Sequence, residues 1–331
     1  MYSRGFYRWI QAFLTTASNL TPWTWFDVII GIAVGATLWR LTRLIREARG
    51  QWLGAIGEAV RRAARATGYV LLVFTLCWGL NYRRAPLLNT PDRGPVVPVE
   101  ELRQLAIDAA ALAARTRLAA QRQLMGYPDV ARVLPMPFNR ALERLGEPAL
   151  VVPGRPKFTL LTPFFTRAGV NGMVDPFMLE SLVHPDLLPF ERPFVLAHEW
   201  GHLAGFADEA EASAVGWSAC MLGDDTLVNS AAMFLLVETA AALPPRVWRD
   251  VLSALDDGVR SDLRQLAARW ALITPAVQAT SSKVYDQYLK ANRVEDGVRS
   301  YSRALQLILQ PVLRDQLNGL RSGRVDPGRR P

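Results

Sequence analysis

Two apolar runs near the N-terminus dominate the hydropathy pattern of this chain. They cover residues 23–39 and 67–82, and each is close to the lower length limit for crossing a bilayer. Tryptophan and tyrosine stand at the ends of both runs, as they do at membrane–water interfaces. The pattern predicts two transmembrane helices within residues 23–82. The alternative, a pair of buried helices in a soluble bundle, leaves the arginines between the runs unexplained.

The segment between the runs, residues 40–66, sets the predicted orientation. It carries seven arginines against Glu47 and Glu58, and short cytoplasmic loops retain basic residues. We therefore predict a cytoplasmic loop here, in a two-span protein of the cytoplasmic membrane. Everything after Tyr82 then lies on the periplasmic or extracellular side. If the loop were outside instead, the same domain would face the cytoplasm.

The stretches that flank the apolar runs have their own composition. Residues 1–22 combine Arg4 and Arg8 with several apolar side chains, which predicts an interfacial amphipathic helix in contact with membrane lipid. Residues 83–98 are rich in Pro, Arg, Asn and Gly, which predicts a linker leaving the bilayer.

The remainder of the chain, residues 99–320, predicts one domain that is mainly α-helical with a small β-sheet. Its predicted elements are a long amphipathic helix at 99–125, short strands at 157–163 and 169–174, and helices from 190 to 320. A third apolar run, residues 227–243, has Glu238 near its centre, which favours a core helix over a third span.

The net charge of +8 changes this picture little, because it is concentrated in two short stretches. Residues 40–66 contribute +5, and a basic C-terminal tail, residues 321–331, contributes +3. The rest of the chain is neutral, so no broad cationic face is available, and we exclude nucleic acid as a partner. The two cysteines, Cys77 and Cys220, provide neither a disulfide framework nor a cysteine metal cluster.

The candidate chemistry lies in an HExxH arrangement formed by His198, Glu199 and His202. Residues four apart on a helix are separated by about 40°, so both imidazoles can bind one metal ion from the same face. The glutamate beside them is the general base that such sites use on a metal-bound water. Two of the three histidines of the chain lie in this motif. The spacing predicts a catalytic Zn²⁺ site.

A catalytic zinc site needs a third protein ligand, and the chain offers three acidic candidates shortly downstream: Asp208, Glu209 and Glu211. Asp208 follows Gly205 at the spacing of HExxHxxGxxD enzymes, but it also stands where the N-cap of the next helix belongs. Glu209 and Glu211 fall in the first turn of that helix. The residues alone leave this choice open.

Three separate blocks, residues 71–84, 196–220 and 284–301, resemble a bacterial membrane-protein family catalogued as domain of unknown function 3810. The resemblance implies a membrane-anchored HExxH zinc metallopeptidase of the gluzincin group, with a zincin-like domain. In related gluzincins the glutamate ligand is followed four residues later by Asp or Asn, which steadies the site. That spacing joins Glu209 to Ser213, where the family usually has Asn. Glu209 is therefore the preferred third ligand and Glu211 the alternative.

Four other side chains are weaker candidates for the same chemistry. His184 precedes the motif in a loop, where a solvated surface role is the alternative to oxyanion stabilisation. Tyr285, Tyr288 and Tyr301 belong to the third resembling block, where helix packing is the alternative to stabilising a tetrahedral intermediate. Residues 169–174 stand where gluzincins have an edge strand that pairs with peptide substrate.

These observations favour a membrane-anchored zinc endopeptidase that acts on a peptide or protein substrate. In this hypothesis Glu199 takes the proton from the attacking water and passes it to the leaving amine. The alternative is a non-catalytic zinc-binding membrane receptor or assembly factor that keeps the metal for stability. A structural site has no use for a general base, so the presence of Glu199 favours the enzyme.

Overall fold

A computed structural model of the chain describes residues 1–47, 52–88, 97–291, 301–313 and 316–317. The architecture is mainly helical with one small sheet, in agreement with the predicted fold class. The predicted basic tail, residues 321–331, lies outside the described residues, as does half of the 83–98 linker, residues 89–96.

The N-terminal part contains two long helices, α2 (Trp25–Glu47) and α3 (Trp52–Cys77). Within the described residues one segment, Trp25–Arg43, is long and apolar enough to be a membrane span or a signal segment, and none of it is buried. The two-span prediction is not confirmed. The predicted 40–66 loop is helical over its described residues, because α2 and α3 both extend into it.

The second apolar run is divided between two environments. Helix α3 ends at Cys77 and a 3₁₀ turn, Gly79–Arg83, follows it. Trp78 and Asn81 are buried against the C-terminal domain, whereas Leu71 and Leu72 in α3 are exposed. The prediction of one continuous span over residues 67–82 does not hold, since its last turn belongs to the folded core.

The first helix, α1 (Phe6–Asn19), also packs on the C-terminal domain. Tyr7 is fully buried, and its hydroxyl donates a hydrogen bond to the carbonyl oxygen of Leu203, 3.1 Å away. Leu87, inside the predicted linker, is buried too. The core therefore extends beyond the predicted domain of residues 99–320 to include α1 and the described residues between α3 and position 88.

The centre of the domain is a helical pair, α4 (Val99–Arg122) and α10 (Asp225–Ala242). Within their contact the buried Asn229 amide donates to the carbonyl oxygen of Ala113, at 3.0 Å, and to the hydroxyl of Thr116. Helix α10 is not among the candidate spans and its Asn229 and Ser230 are buried. The prediction of a core helix over residues 227–243 is confirmed.

The sheet has three short strands in the order β1-β3-β2: β1 (Pro156–Lys157), β2 (Gly172–Val174) and β3 (Ser181–Val183). Strand β3 is parallel to β1 and antiparallel to β2. The predicted strand at 169–174 is confirmed over its second half. The predicted strand at 157–163 is wrong beyond Lys157, because Pro163 occupies the first turn of helix α7 (Thr162–Ala168).

The remaining helices surround this core: α5 (Tyr127–Val133), α6 (Pro135–Arg144), α8 (Arg192–Leu203), α9 (Glu209–Met221), α11 (Pro245–Ser253), α12 (Asp257–Trp270), α13 (Pro275–Ala291) and α14 (Tyr301–Ile308). Helices α8 and α9 are buried over most of their residues. They carry the candidate site.

Helix α10 generates a prediction about stability and pH. Burial raises the pKa of Glu238 to about 7, from the ordinary value of 4.5. The folded state therefore holds this proton more tightly than the unfolded state, and stability falls as the pH rises through the window between the two values. We expect Glu238→Gln to be about 1–3 kcal/mol more stable than the wild type at pH 8, because glutamine cannot ionise.

Urea unfolding of the full chain in detergent at pH 5 and pH 8 measures this effect. At pH 5 the two proteins should differ by about 1 kcal/mol or less. The matched control is Glu100→Gln, at an exposed residue of α4. An equal difference between wild type and Glu238→Gln at both pH values would contradict the assignment.

Candidate metal centre

The candidate site is built on the close approach of α8 and α9. Two glycines allow it, one on each helix. A Cβ atom on Gly201 would lie 3.0 Å from the Cα atom of Ala212, and one on Gly216 would lie 2.9 Å from the backbone nitrogen of His198. Backbone atoms cannot move aside as side chains do, so these positions need glycine for the helices to meet at this distance.

The turn between the two helices fixes where α9 begins. Gly205 has a φ of 88°, in the left-handed region that favours glycine, and it terminates α8. Asp208 caps α9, accepting hydrogen bonds from the backbone nitrogens of Ala210 (3.0 Å) and Glu211 (3.1 Å). The predicted N-cap role of Asp208 is confirmed, and its carboxylate also pairs with Arg303.

This arrangement brings together His198, His202 and Glu209, whose ligand atoms all lie within 4.8 Å of one another. One carboxylate oxygen of Glu209 lies 3.1 Å from Nε2 of His198 and 3.5 Å from Nε2 of His202. A tetrahedral zinc site with bonds of about 2.0 Å has ligand atoms about 3.3 Å apart. The two separations from Glu209 bracket that value and all three ligand atoms lie within 4.8 Å, so the set is compatible with one zinc ion.

Hydrogen bonds to the Nδ1 atoms orient both imidazole rings. Nδ1 of His198 lies 3.1 Å from the hydroxyl of Ser213, and Nδ1 of His202 lies 2.7 Å from the carbonyl oxygen of Phe206. The carbonyl accepts, so Nδ1 of His202 carries the proton and Nε2 presents its lone pair in the neutral ring. Ser213 therefore makes the contact predicted for the position four residues after Glu209.

Glu209 and His202 carry opposite charges at a buried site, whereas burial lowers the pKa of His198. Burial raises the pKa of Glu209, but the two imidazoles outweigh it and keep that pKa well below the usual range. Burial lowers the pKa of His202, and the carboxylates of Glu209 and Glu199 reverse the effect and raise it to about 9. The Glu209 carboxylate thus forms a buried ion pair with the protonated His202 imidazole. A divalent metal ion can take the place of that proton.

Glu199 lies beside this cluster and under strand β2. Its side chain is buried, and within the described part of the chain its Oε2 atom has no hydrogen-bond partner. A Cβ atom on Gly172 would lie 2.4 Å from Oε1 of Glu199, so a larger residue there would displace the carboxylate. Burial raises the pKa of Glu199 to about 8. A bound cation would lower it again.

The alternative third ligand, Glu211, points away from the histidines. Its carboxylate accepts a hydrogen bond from the backbone nitrogen of Leu87, at 2.7 Å. Burial raises the pKa of Glu211 to about 7. The structure groups Glu209, and neither Glu211 nor Asp208, with the two histidines.

Of the weaker candidates, Tyr285 reaches the site and His184 does not join the metal cluster. The Tyr285 hydroxyl, on α13, donates a hydrogen bond to Oε1 of Glu209. His184 is buried, so the predicted solvated surface role is wrong. Its Nε2 contacts the Thr166 hydroxyl at 2.8 Å, and its Nδ1 accepts from the backbone of Asp186. Tyr288 and Tyr301 lie outside the residues whose side chains are described.

Residues next to α3 form a further layer that sequence reasoning missed. The Trp78 ring lies edge-on to His202, with centroids 6.1 Å apart. Arg84 donates to the carbonyl oxygen of Ala204 at 3.0 Å, and Asn81 is buried beside Gly205. The resemblance of residues 71–84 to the family marked this block as special, although it gave no reason to place it at the end of α8.

The helix contact yields a prediction for Gly216→Ala. The added methyl group meets the α8 backbone, so the helices must separate, and we expect a loss of about 1–3 kcal/mol in the free energy of unfolding. Urea unfolding of the full chain measures it. The control Gly57→Ala, at a helical glycine with open space around it, should change stability by about 1 kcal/mol or less. Equal effects at both positions would contradict the close contact.

The family model described as Protein of unknown function (DUF3810) matches residues 2–309, and the chain belongs to this family. Searches of curated proteins and of solved structures give no significant match.

Proposed function

We propose that this member of the family is a zinc-dependent peptidase anchored in a membrane. One observation carries the proposal: the ligand atoms of His198, His202 and Glu209 converge within 4.8 Å, and the buried carboxylate of Glu199 lies beside them. Two imidazoles and one carboxylate are a donor set that zinc prefers when one coordination position stays open for catalysis.

The environment of Glu199 supports catalysis over a purely structural metal site. A structural zinc site closes its coordination with a fourth protein ligand, and within the described residues the group contains three. Glu199 has one oxygen with no partner, as a group that must accept a proton from a reactant requires. When bound, zinc would supply Lewis acidity, lowering the pKa of water toward neutrality.

In this proposal Glu199 transfers protons and strand β2 binds the peptide. Oε2 of Glu199 takes a proton from the attacking water and passes it to the leaving amine. Strand β2 is an edge of the sheet, since it pairs with β3 alone among the described strands. An extended peptide can add to such an edge through main-chain hydrogen bonds. Gly172 in β2 would then place the scissile bond over Glu199.

Tyr285 takes one of two positions in this scheme. Its hydroxyl now contacts Glu209, and a hydroxyl beside a metal ligand can instead donate to an oxyanion that develops on the substrate. In either position it acts on the same cluster. The contact favours a functional role over the helix-packing alternative.

The membrane part of the proposal retains the predicted topology. Helix α2 would be one span and the apolar part of α3 a second, with the arginines of residues 40–66 on the cytoplasmic side. The domain that carries the site would then face the periplasm or the outside of the cell.

Metal content tests the proposed ligand set. We expect elemental analysis of the purified full chain to find about one zinc per chain. Glu199→Gln should keep the metal and Glu209→Gln should lose it. Glu211→Gln is the matched control, because its amide can still accept from Leu87, and it should keep the metal. A folded wild-type chain without zinc would exclude the proposal, and metal loss in Glu211→Gln alone would reassign the ligand.

Hydrolysis of a quenched-fluorescent casein by the full chain in detergent tests the activity. Removing the general base in Glu199→Gln should lower the rate by about 10²-fold or more while zinc stays bound. Zinc binding by the wild type with no hydrolysis of any peptide library member would instead favour the non-catalytic receptor or assembly factor.

A further inference from the structure

Helix α1 is amphipathic in the reverse sense to a helix on the surface of a soluble protein. Its buried residues are Tyr7, Gln11, Thr15 and Ser18. Its strongly exposed apolar residues are Phe6, Trp9 and Phe13, at 65%, 77% and 73% exposure. With about 100° per residue, these two sets lie on opposite sides of the helix. The polar side faces the protein and the apolar side faces outward.

Hydrogen bonds from the polar side hold this orientation. The Gln11 amide donates to the carbonyl oxygen of Val152 at 2.6 Å, and the Thr15 hydroxyl donates to that of Leu179 at 3.0 Å. Turning the apolar side of α1 inward would break these hydrogen bonds and leave the buried polar groups without partners. The free-energy penalty of such unpaired groups exceeds the gain from forming the hydrogen bonds. The outward apolar side is therefore fixed by the fold.

The exposed side of α1 leads into the start of α2, and hydrogen bonds fix the junction of the two helices to the sheet. Lys157, buried with Glu180, donates to the carbonyl oxygens of Ser18 (2.7 Å) and Trp23 (3.0 Å), and Glu180 accepts from the backbone nitrogen of Phe26. These contacts clamp the junction of α1 and α2 to the sheet. The end of α1 and the first turn of α2 are thus held at one place on the domain.

A loop of the domain joins the same surface. In α2, Asp27 accepts hydrogen bonds from the Thr159 hydroxyl, at 2.6 Å, and from the backbone nitrogen of Leu160, at 2.9 Å. Leu160 is 83% exposed and Phe158 is 54% exposed. The exposed Leu160 therefore stands beside the first turn of the helix that is long and apolar enough to cross a membrane, whereas the Phe158 ring packs against Tyr127.

The exposed apolar residues of this region form what we call the docking surface: Phe6, Trp9, Phe13, Leu20 and Leu160. We infer that the docking surface inserts into the interfacial layer of a phospholipid bilayer. The bilayer is the same one that α2 crosses, so the inference rests on α2 being a span and is independent of zinc. A lipid interface fits better than a second copy of the chain, because the surface runs into an exposed apolar helix and carries the aromatic side chains typical of interfaces. The side of the domain that carries the docking surface then lies against the membrane.

Spin-label accessibility in the full chain tests the inference. Single cysteines replace Phe13 and Leu160, each in a Cys77→Ser background; Cys220 is buried and escapes labelling. The proteins are reconstituted into phosphatidylcholine–phosphatidylglycerol liposomes. Collision rates are measured with oxygen, which concentrates in lipid, and with a neutral nickel chelate, which stays in water. Leu118→Cys and Met136→Cys are controls of similar exposure elsewhere on the domain, and Ile32→Cys in α2 is the lipid reference.

We expect labels at positions 13 and 160 to collide more with oxygen than with nickel, as at position 32, and the two controls to show the opposite. Nickel accessibility at 13 and 160 equal to that of the controls would overturn the inference. Protection from both reagents at position 13 would overturn it in favour of a protein partner. Nickel accessibility at position 32 would remove the span and the inference with it. None of these results depends on whether the chain binds zinc or cleaves peptides.

Discussion

The contact between α8 and α9 determines whether a metal centre can exist in this protein. Glu209 starts α9 and the histidines lie on α8, so the distance from carboxylate to imidazole follows from how closely the two backbones approach. Gly201 and Gly216 allow that approach without side chains between the helices. The Asp208 cap and the Gly205 turn then fix the rotation of α9, so that Glu209 faces the histidines and Glu211 faces Leu87.

Segments far apart in sequence complete the surroundings of this contact. Glu147 is buried and pairs with both Arg4, before α1, and Arg84, after α3, each at 2.7 Å. Arg84 also stacks on the Phe206 ring and donates to the end of α8. Loss of either arginine would leave the buried Glu147 carboxylate poorly paired, which would lower the stability of the fold. The N-terminal segment is therefore structurally part of the domain and more than an anchor for it.

The candidate site was largely predictable from sequence, because its chemistry is encoded locally. The HExxH spacing needs only helix geometry, and the cap at Asp208 and the break at Gly205 follow from residue preferences at helix ends. The role of Ser213 came from the resemblance to gluzincins, which have a supporting side chain four residues after the glutamate ligand. By contrast, the residues alone left Glu209 and Glu211 open, since both lie in one helical turn; the family resemblance favoured Glu209, and the packed turn groups Glu209 with the histidines.

The fold was predictable where a segment buries one continuous apolar stripe, as in α4 and α10. It was not predictable where tertiary contacts override local pattern. Helix α1 buries its polar side, which no hydropathy profile reveals, and the run at 67–82 ends inside a core that its own sequence does not show. Strand β3 is three residues long and exists because β1 and β2 flank it. Tyr285 reaches Glu209 across 76 positions of the chain.

The hydrogen bond from Tyr7 to Leu203 joins residues 196 positions apart. During synthesis α1 precedes the long-range partners of its polar side, at Val152, Leu179, Glu180 and Leu203, which are made much later. The contacts of α1 are thus completed only after residue 203 has been made. Until then the polar side of α1 is satisfied by water or within the helix, as in the hydrogen bond from Gln11 to Thr15, so α1 can dock only after most of the domain has been made.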